Sequence, residues 1–150
     1  MKRNNLILYF FSLLLSAMAL SFTSQRPASI EADVLNYTNE FRHSKGLDNL
    51  TTNAILNNIA QKHSENMASG RVKFGHDGFA KRNTAAQKQL AIRSFAENVA
   101  FGVTTGEAVV DLWKNSEGHR KNMLGKFNQV GIGVAKDKQG RIFFTQLFSD

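Results

Sequence analysis

A chain of 150 residues has room for one domain with a real hydrophobic core, and 42% hydrophobic with 21% charged residues is a globular composition. The formal charge of +7 is spread thinly over pairs such as Arg71 and Lys73, Lys81 and Arg82, and Arg120 and Lys121. With no basic block and no aromatic-basic interleaving, nucleic acid is not an expected partner. Cysteine is absent, which excludes a thiol nucleophile, a thiolate metal site and a lipoprotein cysteine, so any metal ligands must be histidine or carboxylate.

Met1-Lys2-Arg3, the apolar run from Leu6 to Leu15 and Ser16-Ala17-Met18-Ala19 form a basic segment, a hydrophobic segment and an Ala-x-Ala signal. This pattern predicts a signal peptide over residues 1–19. A retained anchor is the alternative, for which the apolar stretch is short. In both cases the domain is expected outside the cytoplasm, secreted or periplasmic, with no stable membrane span after cleavage. Residues 20–31, with the only proline at Pro27, read as a linker, and 32–150 as the domain.

From Ile30 the pattern turns helical, with Ile30, Val34, Tyr37 and Phe41 on one stripe and Gly46 closing it. A second helix follows Thr51-Thr52, carrying Ile55, Ile59, His63 and Met67 on one face before Gly70. Residues 71–93 show little periodicity and predict an irregular excursion. Phe95 to Val103 fits a strand or a tight loop. A third helix is expected from near Thr105, with Val109, Leu112 and Trp113 facing inward, and a short fourth one capped by Ser116 and running to Met123 and Leu124. The period then changes to two. Val130, Ile132 and Val134 alternate with small residues, Asp137 to Gly140 is a turn, and Arg141 to Phe148 is a second strand. Gly131 and Gly133 predict that another element packs closely over that strand. Helices followed by a hairpin give the α+β class.

Chemistry must come from few residues. Of the four histidines, His43 reads as solvated and His63, on an apolar stripe, as a satisfied core histidine. His76 lies in the glycine-flanked loop Phe74-Gly-His-Asp-Gly-Phe79, and His119 lies in the short helix after Ser116. Glu97, inside the apolar Phe95-Ala-Glu-Asn-Val-Ala-Phe101, must be paired or functional. It either ties loops together, or orients a histidine ring or polarises a water.

These residues fall into an ordered pattern. Asn39-Glu-Phe-Arg42 with Gly46-Leu47 and Leu50 comes first, then Ala60-Gln-Lys-His-Ser64 with Met67-Ala68. The Phe-x-His loop at His76 and the pair Glu97-Asn98 follow. Trp113, Gly118-His-Arg120 with Asn122-Met-Leu124, and Val130-Gly-Ile-Gly-Val134 complete it. Over Ala32 to Phe148 the chain resembles the CAP family of cysteine-rich secretory proteins, insect venom antigens and plant pathogenesis-related proteins, in its bacterial, cysteine-free branch. The resemblance implies an α-β-α sandwich, helices around a small, mainly antiparallel sheet, with a cleft lined by two histidines and two acids. Carried over, the cleft residues are His76, Glu97, His119 and Ser116, the last standing where eukaryotic members have the second acid. His76 and His119 are the implied ligands of zinc or another divalent metal, and one carboxylate, Glu97, could join them in a three-ligand site with an open position for water. Trp113, Asn98 and Arg120 are expected to be structural. A lipid or envelope component, or another protein, is the expected partner.

Three functions stand open on these residues: an exported binding module, a metal-dependent hydrolase acting on peptide or envelope material, and a purely structural polar cluster. A serine hydrolase built from Ser116, His119 and Glu97 is the least favoured, since no Gly-x-Ser-x-Gly elbow exists.

Overall fold

Ser29 opens the first helix. Its backbone is extended and its side chain accepts a hydrogen bond from Ala32 N at 3.2 Å, so α1 runs Ile30–His43. Glu31 and Asp33 in the first turn and Arg42 and His43 in the last complement the helix dipole. The computed structural model describes residues 29–150, so the expected signal peptide at 1–19 and most of the linker lie outside the described residues. The helix starts two residues before Ala32, because the Ser29 cap places the domain boundary ahead of it.

The two-residue strand β1, Thr51–Thr52, precedes α2, Ala54–Ala68, whose cap Asn53 accepts from the amides of Ile55 and Leu56. The stretch expected to be irregular contains a helix, α3, Phe79–Gln87. It buries only Ala86 and starts from Gly78 in the left-handed region (φ 80°) with no side-chain cap. Neither an apolar stripe nor a capping residue announces it. After β2, Phe95–Phe101, come α4, Gly106–Lys114, capped by Thr105, and α5, Glu117–Met123. Ser116 holds the cap position of α5, but its side chain makes no capping bond; its carbonyl accepts from Arg120 N instead. The hairpin β3, Gln129–Lys136, and β4, Ile142–Ser149, turns at Asp137, whose carboxylate accepts from the amides of Gln139 and Arg141.

The sheet order is β1-β3-β4-β2, antiparallel except for the β1–β3 pair. Gly131 and Gly133 face α2 so closely that a Cβ at either would overlap the helix backbone at Leu56 or at Ala60 and Gln61, as their spacing predicts. On the opposite face α1 and α4 pack with Val34, Val109, Val110 and Trp113 against Val130, Phe144 and Phe148. Each such fully buried large side chain contributes about 1.5–3 kcal/mol. The result is the expected α-β-α sandwich of the α+β class.

Both sheet edges are shielded by side chains. Beyond the short β1, the outer groups of β3 are met by α2: Asn57 Oδ1 accepts from Ile132 N, while Gln61 accepts from Val134 N and donates to Val134 O. On β2, Trp113 Nε1 donates to Val99 O and Asn122 Nδ2 to Glu97 O. Such contacts occupy part of each edge's outward hydrogen-bonding groups and so hinder pairing with another strand. The Asn122 bond also holds α5, which carries His119, against β2.

Candidate functional site

Alternation along β2 sends neighbouring side chains to opposite faces. Glu97 is in register with Leu147 and through it with Gly131, so it lies on the α2 face, while Asn98, opposite Gln146, lies on the other.

The Glu97 carboxylate is buried and fully engaged. Oε1 accepts from His76 Nδ1 at 2.8 Å and from Arg82 Nη2 at 2.8 Å, and Oε2 accepts from Arg82 Nε at 2.6 Å. Arg82 reaches it from α3 and also donates to the carbonyls of Asp77 and His76, which fixes the loop that presents His76. From below, His63 lies 2.9 Å through Nε2 from Gly75 O. A carbonyl only accepts, so Nε2 carries the proton and His63 is the satisfied core histidine its position predicts. Desolvation pushes its pKa down, Arg82 adds to this, and the Gly75 bond opposes it.

Asn98, fully buried, organises the α5 side. Its Nδ2 donates to His119 O at 3.2 Å and its Oδ1 accepts from Asn122 Nδ2 at 2.9 Å. Arg120 Nη1 donates to Lys114 O, tying α5 to α4, and the Trp113 ring lies 6.5 Å from that of His119. The His119 ring is half-buried, with an Nδ1 that is buried without a hydrogen-bond partner. Burial first, and then the nearby His76, hold its pKa below the ordinary value.

The structure therefore joins His76 to Glu97 directly and sets His119 within electrostatic reach of His76. Ser116 is joined by no side-chain hydrogen bond to His119 or Glu97. Glu97 does not stand as a third metal ligand: Arg82 and His76 take both oxygens, and among the described residues no three His, Asp or Glu side chains gather around one point. What remains for an ion is the pair of imidazoles. With Nδ1–H given to Glu97, His76 keeps Nε2 as a lone-pair donor, and the orphaned His119 Nδ1 is a nitrogen that an ion or water would satisfy. Imidazole nitrogens are donors of a kind that divalent transition metals take, with solvent filling other positions.

Sequence reasoning counted Arg82 only among the dispersed charges and gave it no place in the site. It passed over Arg42 and Asn122 as pattern residues without roles. Buried Arg42 donates to Asp48 O, Met123 O, Gly125 O and Phe127 O, so it fastens the end of α5 to α1.

A sheet between helical layers, with a carboxylate-braced histidine on a loop and a second histidine on a short helix, defines a CAP-type sandwich protein. Residues 35–148 match the Cysteine-rich secretory protein family (CAP), and the chain belongs to that family. It is 32% identical over 121 residues to the uncharacterized protein YkwD of Bacillus subtilis, covering 76% of this chain and 47% of that one. It is likewise 32% identical over 124 residues to the uncharacterized membrane protein YlbC of the same organism, covering 79% of this chain and 34% of that one. The chain thus spans about half the length of the first of these relatives (47%) and a third of the second (34%). Among solved structures it is similar to an extracellular SCP-domain protein of Bacillus anthracis, with TM-score 0.70 and 27% identity, covering 83% of this chain and 45% of that one. A cysteine-rich secretory protein of Staphylococcus aureus gives 0.66 and 25%, covering 83% and 40%. No helix among the described residues is long and apolar enough to cross a membrane.

Proposed function

We propose that this chain is an exported, non-enzymatic binding module whose cleft holds zinc or another divalent ion between His76 and His119. The observation that carries the reading is the commitment of Glu97. Its carboxylate is spent on Arg82 and on His76 Nδ1, the arrangement by which an outer carboxylate fixes the tautomer and aim of a metal-ligating histidine. A bound divalent ion would supply a positive contact point for an anionic group of a lipid, an envelope component or a protein partner. Export is supported by the N-terminal pattern of residues 1–19 and by the extracellular and secretory relatives. A hydrolase needs a carboxylate or imidazole able to take a proton from water. Glu97 is clamped by arginine, and in this reading His76 and His119 give their free nitrogens to the ion, so neither serves as that base.

The test is a zinc titration by calorimetry at pH 7.5, beside the double variant His76→Ala with His119→Ala. Stoichiometric binding that the variant loses, with its circular dichroism unchanged, is expected. Absence of binding, or binding the variant retains, overturns the metal site. A variant that unfolds without metal present would instead identify the pair as structural.

A further inference from the structure

Outside the cleft, α2 and α3 border an open-sided groove of about 350 Å³. Its α2 wall is the stripe Ile55, Asn58, Ile59 and Lys62, at helical spacing i, i+3, i+4 and i+7. This stripe is separate from Leu56, Ala60 and Ser64, which pack on the sheet. The facing wall on α3 contributes Lys81 and Ala85. No aspartate or glutamate lines the groove, and neither Lys62 nor Lys81 pairs with a carboxylate among the described residues. Arg82 and His63 reach it from behind, but Glu97 already neutralises the first. The groove thus has an aliphatic floor and two unneutralised lysines on its rim.

We propose that this groove is a docking site for an extended acidic peptide segment with aliphatic side chains. The aliphatic side chains would rest on Ile55, Ile59 and Ala85. The carboxylates would meet Lys62 and Lys81, and the exposed carboxamide of Asn58 would bond the peptide backbone. The volume is at the small end of ligand sites, enough for one or two side chains and not for a folded partner. The carboxamides of Asn58, Asn66 and Gln89 along an open wall suit peptide amides and leave a lipid chain's methylenes facing polar groups, so a peptide is favoured over an acyl chain. The site is independent of the metal reading, since neither His76 nor His119 lines it.

The experiment is an array of octapeptides built from Glu, Leu and Ala, with a matched array carrying Gln for Glu, probed with the protein and with its Lys62→Glu, Lys81→Glu variant. Both lysines are exposed, so the variant is expected to fold, which circular dichroism checks. Glu-containing peptides should bind. Their Gln counterparts, and the charge-reversed variant, should each bind at least tenfold more weakly. The variant's zinc titration should match that of the parent, which separates failure here from failure of the cleft. No binding in either array, or binding indifferent to the Glu-to-Gln exchange or to the lysine reversal, overturns the proposal. So does a titration in which laurate, and no array peptide, shifts the α2 and α3 amide resonances.

Discussion

Arg82 grips Glu97 with two parallel hydrogen bonds, Nε to Oε2 at 2.6 Å and Nη2 to Oε1 at 2.8 Å, around a carboxylate whose side chain is 1% exposed. A desolvated carboxylate persists only with partners of this strength. The clamp leaves Glu97 bonded to one further partner, the His76 ring. Replacing one partner of a buried pair strands the other charge, so Arg82→Ala should lower stability by about 3–5 kcal/mol. Arg82→Lys should recover only part of this, since an ammonium cannot reproduce the planar fork. Urea denaturation measures both. A loss below about 1 kcal/mol for the alanine variant would show that the clamp does not hold the fold.

His63 makes stability depend on pH in a direction the structure fixes. Burial holds its pKa below the ordinary 6.5, so the unfolded chain takes up its proton at a higher pH than the folded one. Between those two values the unfolded state binds more protons, and stability falls as pH falls. Above 6.5 the contribution is flat. Each tenfold depression in proton affinity corresponds to about 1.4 kcal/mol. The urea midpoint should drop between pH 7 and pH 5.5, and the drop should be shallower in His63→Gln, which keeps a donor for Gly75 O. Equal slopes in the two proteins would assign the dependence to other groups, His119 first.

The glycines divide by what surrounds them. A Cβ at Gly131 or Gly133 would overlap the backbone of α2, which no rotamer change relieves. Gly131→Ala and Gly133→Ala should each cost about 1–3 kcal/mol by forcing α2 off the sheet. A Cβ at Gly118, within α5, meets nothing within 4 Å. Gly118→Ala should therefore stabilise by about 0.5–1 kcal/mol. Thermal unfolding of the three variants tests the opposite signs together.

What was legible in the sequence was what repeats or breaks a period. The stripe from Val34, the strand alternation at Val130, Ile132 and Val134, and the close approach over Gly131 and Gly133 all stand where the pattern puts them. Glu97 was visible because a charge in an apolar strand needs a partner. The partner was not, since Arg82 lies 15 residues away on a helix that buries only Ala86 and so leaves no apolar stripe. Ser116 shows the opposite failure: a residue type suited to capping holds the right position, yet its hydroxyl takes no part. The bond from His63 to Gly75 O and the four carbonyls gathered by Arg42 depend on chain meeting chain in three dimensions, for which one sequence has no local signal.

Arg42 couples the first helix to the cleft. Its guanidinium donates to Met123 O at 2.8 Å, Gly125 O at 3.0 Å and Phe127 O at 3.1 Å, and these carbonyls belong to the end of α5 and the chain leaving it. Carbonyls at a helix C-terminus have no partner within the helix, and buried ones must find one elsewhere. Because His119 rides on α5, the Arg42 fork sets one end of the element that carries a cleft ring. Arg42→Lys keeps the charge and loses the fork, stranding at least one buried carbonyl at about 1–3 kcal/mol. Stability should fall by that amount, and the imidazole nitrogen resonances of His119 should move while those of His43, on the outside of α1, stay in place. Reduced stability with an unmoved His119 would show that the Asn98 bond to the His119 carbonyl alone places the ring, and that Arg42 serves only the core.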